Sequence, residues 1–226
     1  MRAQTHARIA PGRARTYFKP VIDTRDLEQR LRARLDPLDA PARDAPTRSD
    51  GDLNPDWVDR PASFRPAAVL APIVKRLEGW TMLFTQRAEE TPAHPGQISF
   101  PGGRVQDDDA DAVATAVRET VEEIGLAREL IEPVGAWDRY ETGTGFSITP
   151  IVGLVEPGFA LTLDPREVAS VFEAPLSFLF DPANHERREG VWRGHRRFYY
   201  AMPYEGRFIW GATAGMIRAL YERLYE

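Results

Sequence analysis

The chain has 226 residues, 42% of them apolar, with 34 acids against 29 bases, a net charge of −5 and no cysteine. The missing cysteine excludes disulfides, thiolate–zinc centres and a cysteine nucleophile, and the net negative charge argues against general affinity for nucleic acid, which needs a basic field. The longest apolar run, 67–74, is far too short to cross a bilayer. Residues 1–20 are basic and lack the apolar stretch of a secretory signal. They share the acid-poor character of a mitochondrial transit peptide, but a disordered tail is the plainer reading, and a cytoplasmic location is expected.

In chain order, the first element is a helix over 24–35, with Thr24 as N-cap and leucines at 27, 31 and 35 along one face. Residues 36–63 are rich in Pro, Asp and Gly without periodicity, and read as a linker or wrapping arm. Residues 1–63 are therefore taken as an N-terminal extension and 64–226 as the catalytic-sized domain. The unexplained leucine face raises homodimerisation through this arm as one expectation.

From Phe64 the texture becomes globular. Residues 67–76 predict a buried strand and 80–88 its hairpin partner across Leu77-Glu78-Gly79; 96–100 is a short strand ending at Pro101-Gly102-Gly103. A helix is predicted over 110–124, with Asp107 to Asp109 at its start and Gly125 as its stop. Two strands, 131–141 and 146–156, flank a Thr142-Gly-Thr-Gly145 loop. Residues 165–180 mix an extended piece with a short helix, 196–211 form a hairpin about Tyr204-Glu205-Gly206, and a helix closes the sequence over 213–224. The irregular alternation predicts an α/β or α+β fold with a mixed sheet.

The helix over 110–124 carries the chemistry. Val113, Ala116, Val117, Thr120 and Ile124 share one face; Glu119, Glu122 and Glu123 gather on the other, as positions i, i+3 and i+4 do. Glutamates in the last turns oppose the helix dipole and repel one another, so a positive partner is required. Hard oxygen ligands in one place suit Mg²⁺ or Mn²⁺. A solvated acidic face is the competing reading, and the Gly-Gly turn upstream with Arg118 beside Glu119 disfavours it.

Gly103, Arg118-Glu119, Glu122-Glu123, Gly125 and Leu126 resemble the Nudix box, G-x5-E-x7-R-E-U-x-E-E-x-G-U. The spacing here is one residue longer and the first acid is Asp109. The longer spacing is similar to that of the coenzyme A pyrophosphatase branch. So is the lead-in 83–103, where Thr85, Arg87, Ala88, Gly96, Gln97, Ile98 and Phe100 fit; Thr91 replaces a usual Leu, and Pro92 stands where the branch carries a base.

This resemblance, spanning about 64–226, implies a mixed sheet between helices and a Mg²⁺- or Mn²⁺-dependent hydrolase acting on a small-molecule diphosphate such as coenzyme A. It implies metal binding by Glu119, Glu122, Glu123 and the Gly102 carbonyl, with Arg118 anchoring the helix on an acid such as Asp109. Glu119 and Glu167 are both candidates for the catalytic base. Other nucleoside diphosphates, ADP-ribose or NADH, form the alternative substrate class, and a non-catalytic binding domain the remaining one.

Gln97 is carried as a substrate-binding residue. Arg87 reads equally as a phosphate partner or a strand-surface ion pair. Gly143, Thr144, Gly145 and Phe146 read equally as a pocket loop or an ordinary hairpin turn. Phe208 and Trp210 are expected in the core, His94 in a structural role, and His185 and His195 on the surface.

Overall fold

The computed structural model describes residues 26–39, 48–56, 60–91 and 93–226; the expected N-cap Thr24 and the departure at Pro92 lie outside them. In chain order the elements are α1 (Leu27–Arg34), β1 (Arg48–Ser49), β2 (Arg65–Arg76), β3 (Gly79–Arg87), β4 (Ile98–Ser99), β5 (Gly102–Arg104), α2 (Ala112–Ile124), β6 (Ile131–Ala136), β7 (Tyr140–Glu141), β8 (Phe146–Val155), β9 (Val168–Pro175), α3 (Leu176–Leu179), β10 (Glu186–Trp192), β11 (His195–Tyr204), β12 (Arg207–Trp210) and α4 (Ala212–Tyr225).

A mixed sheet runs β1-β7-β8-β2-β3-β4, with β5 added on β2, β6 on β8 and β9 on β3. Its centre is the parallel pair β2 and β8, in register from Arg65↔Phe146 to Val74↔Val155. β2 and β3 form the expected hairpin, closing at Arg76↔Gly79. β10, β11 and β12 make a separate antiparallel sheet. The turn between β11 and β12 places Glu205 and Gly206 at φ 46° and 78°, the left-handed pair that a two-residue hairpin requires.

The alternation of β2 builds two cores, because successive side chains leave opposite faces of a strand. Ala68, Leu70 and Val74 pack with Ala116, Val117 and Ile124 of α2. Ala71 and Ile73 point the other way, into a cluster with Leu27 and Leu31 of α1 and Ile217, Leu220 and Leu224 of α4. The fold is thus mixed α+β, a sheet between α2 on one face and α1, α3 and α4 on the other.

Several details differ from the sequence reading. α2 starts at Ala112 with Asp111 as its N-cap, accepting from Ala114 N at 2.8 Å; Asp109 is occupied elsewhere. The single strand expected over 131–141 is two, β6 and β7. They break where Trp137 turns inward and donates its indole N–H to the Met216 carbonyl at 3.1 Å. β10 was not anticipated, since its charged residues hide the alternation. His185, expected at the surface, is buried with Nε2 2.6 Å from the Leu179 carbonyl; His195 is exposed. The leucine face proposed for a dimer is used within the chain: Leu27, Leu31 and Leu35 are all buried in the core shared with α4. Arg30 reinforces this pairing by donating to the Leu224 carbonyl at 3.3 Å and lying over the Tyr225 ring.

Candidate active site

The Gly102-Gly103 turn brings α2 to the sheet. β5 pairs with β2, Val69 opposite Gly102. A Cβ on Gly102 would sit 2.4 Å from the Ala68 carbonyl oxygen, and φ there is +151°, so only glycine fits. A Cβ on Gly103 would fall 2.5 Å from the Glu119 carboxylate. The backbone therefore lies directly against the acids of the helix, and Gly102 N donates to Glu123 Oε2 at 3.2 Å.

Arg118 is the positive partner that the crowded glutamates require. It grips Asp109 with two bonds, Nε to Oδ1 at 2.9 Å and Nη2 to Oδ2 at 2.8 Å, the fork geometry that makes guanidinium–carboxylate pairs strong. Nη1 reaches Glu119 at 2.9 Å and Glu122 at 3.1 Å, and Nη2 also donates to the Arg104 carbonyl at 3.2 Å. The Arg118 bonds hold Asp109 well below the usual carboxylate range. Asp109 is thus spent as an anchor, tying the loop before α2 to the helix.

Two of the three expected ligands converge. Glu123 is buried beneath Gly102, and burial pushes its pKa up to about 8; the charges of Glu119 and Glu167 push the same way, while the Gly102 N–H and Arg87 oppose them. Burial likewise raises Glu119, against the pull of Arg118. Glu122 differs, its side chain 58% exposed on Arg118. Among the described residues no three His, Asp or Glu side chains stand in a ready metal cluster.

The donor set nevertheless fits a divalent cation. Glu119 and Glu123 are crowded carboxylates whose negative charge Arg118 and Arg87 only partly offset, and all the oxygens are hard donors. Glu167 is exposed on the approach to β9, its backbone held by Ala88 and Asp164, and its charge is felt at both glutamates.

Beside these acids opens a cleft of about 630 Å³. Gly102, Gly103 and Arg104 line it, as do Arg87 and Gln97. Arg87 Nε donates to the Ala93 carbonyl at 3.2 Å, a loop contact where an ion pair was the alternative. Gly143, Thr144 and Phe146 line the cleft too; Gly145 is not among the lining residues and sits in the turn at φ +86°.

Residues not singled out from sequence complete the cleft: Asp50, Asn54, Trp192, Arg197 and Phe198. Asp50 and Asn54 lie in the Pro- and Asp-rich arm, where no periodicity marks a buried position. Trp192, 44% exposed beside Val191 at 79%, carried one available signal, a bulky aromatic in a charged, otherwise solvent-facing hairpin. Trp210, expected in the core, lines the cleft, and Phe208 is exposed; the short β12 faces one side to solvent. His94 also lines the cleft, at φ 57°, its pKa lowered by burial and then by the Arg87 charge.

Comparison with known proteins places the chain in a family. The NUDIX domain family matches residues 64–199. A protein of Enterobacter sp. (strain 638) named "Uncharacterized Nudix hydrolase NudL" is 40% identical over 156 residues, covering 69% of this chain and 81% of its own length. The protein of the same name from Escherichia coli (strain K12) is 38% identical over equal shares. Solved structures resemble the chain more loosely. A C. elegans Ap4A hydrolase binary complex gives a TM-score of 0.41 at 20% identity, over 50% of this chain and 80% of its own. The NUDIX domain of Shewanella oneidensis NrtR complexed with ADP ribose gives 0.40 at 17%, over 57% and 82%. With the family matched across the residues that carry Gly103, Arg118 and the three glutamates, the chain belongs to the Nudix family and is a Nudix hydrolase.

Proposed function

We propose that this hydrolase cleaves the diphosphate of coenzyme A or its thioesters, releasing 3′,5′-ADP and 4′-phosphopantetheine or its acyl form, with Mg²⁺ or Mn²⁺. One observation carries the reading. The lengthened box and the Gly-Gln-Ile-Ser-Phe-Pro-Gly-Gly lead-in resemble the coenzyme A branch, and Arg87, Gln97, Gly102 and Gly103 from that lead-in line one cleft beside Glu119 and Glu123.

Glu119, Glu122, Glu123 and the Gly102 carbonyl are the groups to hold the cation. When bound, it neutralises diphosphate charge and makes an attacking water more acidic. Arg118 fixes the helix by its fork on Asp109, so Glu119 and Glu123 keep their places as charge changes nearby. Glu119 or Glu167 takes the proton from the attacking water at a carboxylate oxygen; the Glu167 charge acts on both Glu119 and Glu123. Arg87 meets a diphosphate oxygen in the cleft, and Gln97 with the Gly143–Phe146 loop orients what lies beyond.

The test is incubation with coenzyme A, ADP-ribose and NADH in either metal, with products identified by mass. Preferred release of 4′-phosphopantetheine and 3′,5′-ADP is expected. Cleavage of ADP-ribose or NADH with coenzyme A left intact would favour the second reading, a hydrolase for another nucleoside diphosphate, which Pro92 in place of a base supports.

A further inference from the structure

The segment 48–54 precedes the family match, yet it touches both walls of the cleft. β1 runs parallel to β7, Arg48 beside Tyr140 and Ser49 beside Glu141, and Asp50 N donates to the Glu141 carbonyl at 3.0 Å. This delivers the Asp50 side chain beneath the Thr142–Gly145 loop. Its Oδ2 accepts from Gly143 N at 2.6 Å and its Oδ1 from the Tyr140 hydroxyl at 3.0 Å.

Four residues on, Asn54 is buried against the other wall, 8% exposed. Its side-chain amide matches a strand residue edge to edge: Nδ2 donates to the Phe198 carbonyl at 3.0 Å, and Oδ1 accepts from Phe198 N at 2.8 Å. Nδ2 also donates to the Asp50 carbonyl at 2.6 Å. The turn between them is itself braced. Asn54 N reaches the Gly51 carbonyl at 2.8 Å, and Ser49 Oγ donates to Asp52 Oδ1 at 2.9 Å. Gly143 and Thr144 on one side and Phe198 and Tyr199 on the other all face the cleft.

Two walls from distant parts of the chain are thus held at a set separation by one five-residue turn. Backbone groups of both walls end on side chains of the turn, and no other described strand pairs β8 or its loop with β11. We propose that Asp50 and Asn54 are positioning residues for this hydrolase, clamping the Gly143–Thr144 loop to β11 so that the far wall of the cleft is preformed for the substrate. The assignment rests on the diphosphate reading above. Its effect is on binding: the side-chain hydrogen bonds of Asp50 and Asn54 go to Gly143, Tyr140, Phe198 and Asp50 and not to Glu119 or Glu123, so a loosened wall degrades the fit of the substrate and leaves the chemistry in place.

The test is steady-state kinetics on the preferred diphosphate for wild type, Asp50→Ala, Asp50→Asn, Asn54→Ala and Leu31→Ala, with the melting temperature of each. Asp50→Ala and Asn54→Ala should raise KM about tenfold with kcat within about threefold of wild type. Asp50→Asn should recover most of the loss, because the amide oxygen still accepts from Gly143 N and the Tyr140 hydroxyl can turn to accept from the new amine. Leu31→Ala should lower the melting temperature and leave KM unchanged, which separates positioning from lost stability. KM within twofold in both alanine variants, no recovery in Asp50→Asn, or a KM rise in Leu31→Ala equal to theirs would each overturn the clamp. If wild type cleaves none of the three compounds, the functional reading fails, and the clamp is judged on ADP affinity by calorimetry with the same variants. The same order of affinities supports it; equal affinities, or no ADP binding by wild type, overturn it.

Discussion

Gly102 and Gly103 are neighbours that answer to different constraints. A side chain on Gly102 meets backbone, the Ala68 carbonyl and Val69 Cα, in a conformation that L-residues avoid. Gly102→Ala is expected to destabilise the protein by about 3 kcal/mol in chemical denaturation. A side chain on Gly103 meets the far end of the flexible Glu119, which can move aside. Gly103→Ala should therefore leave the denaturation midpoint nearly unchanged while lowering kcat about 100-fold, because Glu119 is displaced. Glu123→Gln should cost activity on a similar scale. It should also remove most of the rise in melting temperature expected when Mg²⁺ is added to wild type, which for a cation at 100 times its Kd corresponds to about 2.7 kcal/mol. The residues of this site were legible to different depths. Helical spacing groups Glu119, Glu122 and Glu123 on one arc with Arg118 adjoining, while their roles and the Arg118–Asp109 pair are what the resemblance implies. The burial of Glu123 was hidden, because helical periodicity places it on the polar edge and what covers it is backbone from β5, a strand of glycines with no pattern to read.

At the scale of elements, the long strands and α2 and α4 were evident because apolar periodicity reports burial directly. The extension was opaque for the opposite reason. Asp50 and Asn54 act through a few polar contacts to residues about 90 and 144 positions away, and no local pattern encodes such pairs. α1 was read as a helix, but its destination was not: Leu31 is fully buried against α4. Leu31→Ala should cost about 2–5 kcal/mol of unfolding free energy. His185, between α3 and β10, supplies a pH dependence. Its Nε2 lies on the Leu179 carbonyl and its Nδ1 is 3.4 Å from Arg218 Nη1, so the neutral ring with its proton on Nε2 fits both neighbours. Burial, and then the Arg218 charge, lower its pKa; the Leu179 carbonyl, Asp181 and Glu222 oppose them. The unfolded chain takes up this proton near pH 6.5 and the folded chain resists it. Stability present above that pH should be lost as the pH falls below it. His185→Asn should show a smaller drop in melting temperature between pH 7.5 and 5.5 than wild type.

For the whole molecule, a net charge of −5 describes the field far away and not the one inside the cleft. Arg87, Arg104 and Arg197 all line the cleft, so the local field that a diphosphate would meet there is set by these guanidiniums. Such attraction is screened within about 8–10 Å at physiological ionic strength. KM for the preferred diphosphate should rise as KCl is increased from 50 to about 500 mM, while kcat changes little. The pairing of α1 with α4 has another consequence, for the order in which this protein can be made. The leucines of α1 share their core with β2, with β6, where a Cβ on Gly135 would meet Leu35, and with residues 212–225, so part of their cover lies close to two hundred positions later. During synthesis α1 emerges before the sheet and the sheet before α4, so α1 can meet β2 and β6 early while the apolar surface that α4 covers stays open. That face is closed only when residues 212–225 follow, and until then a chaperone that shields apolar surface would have its place there.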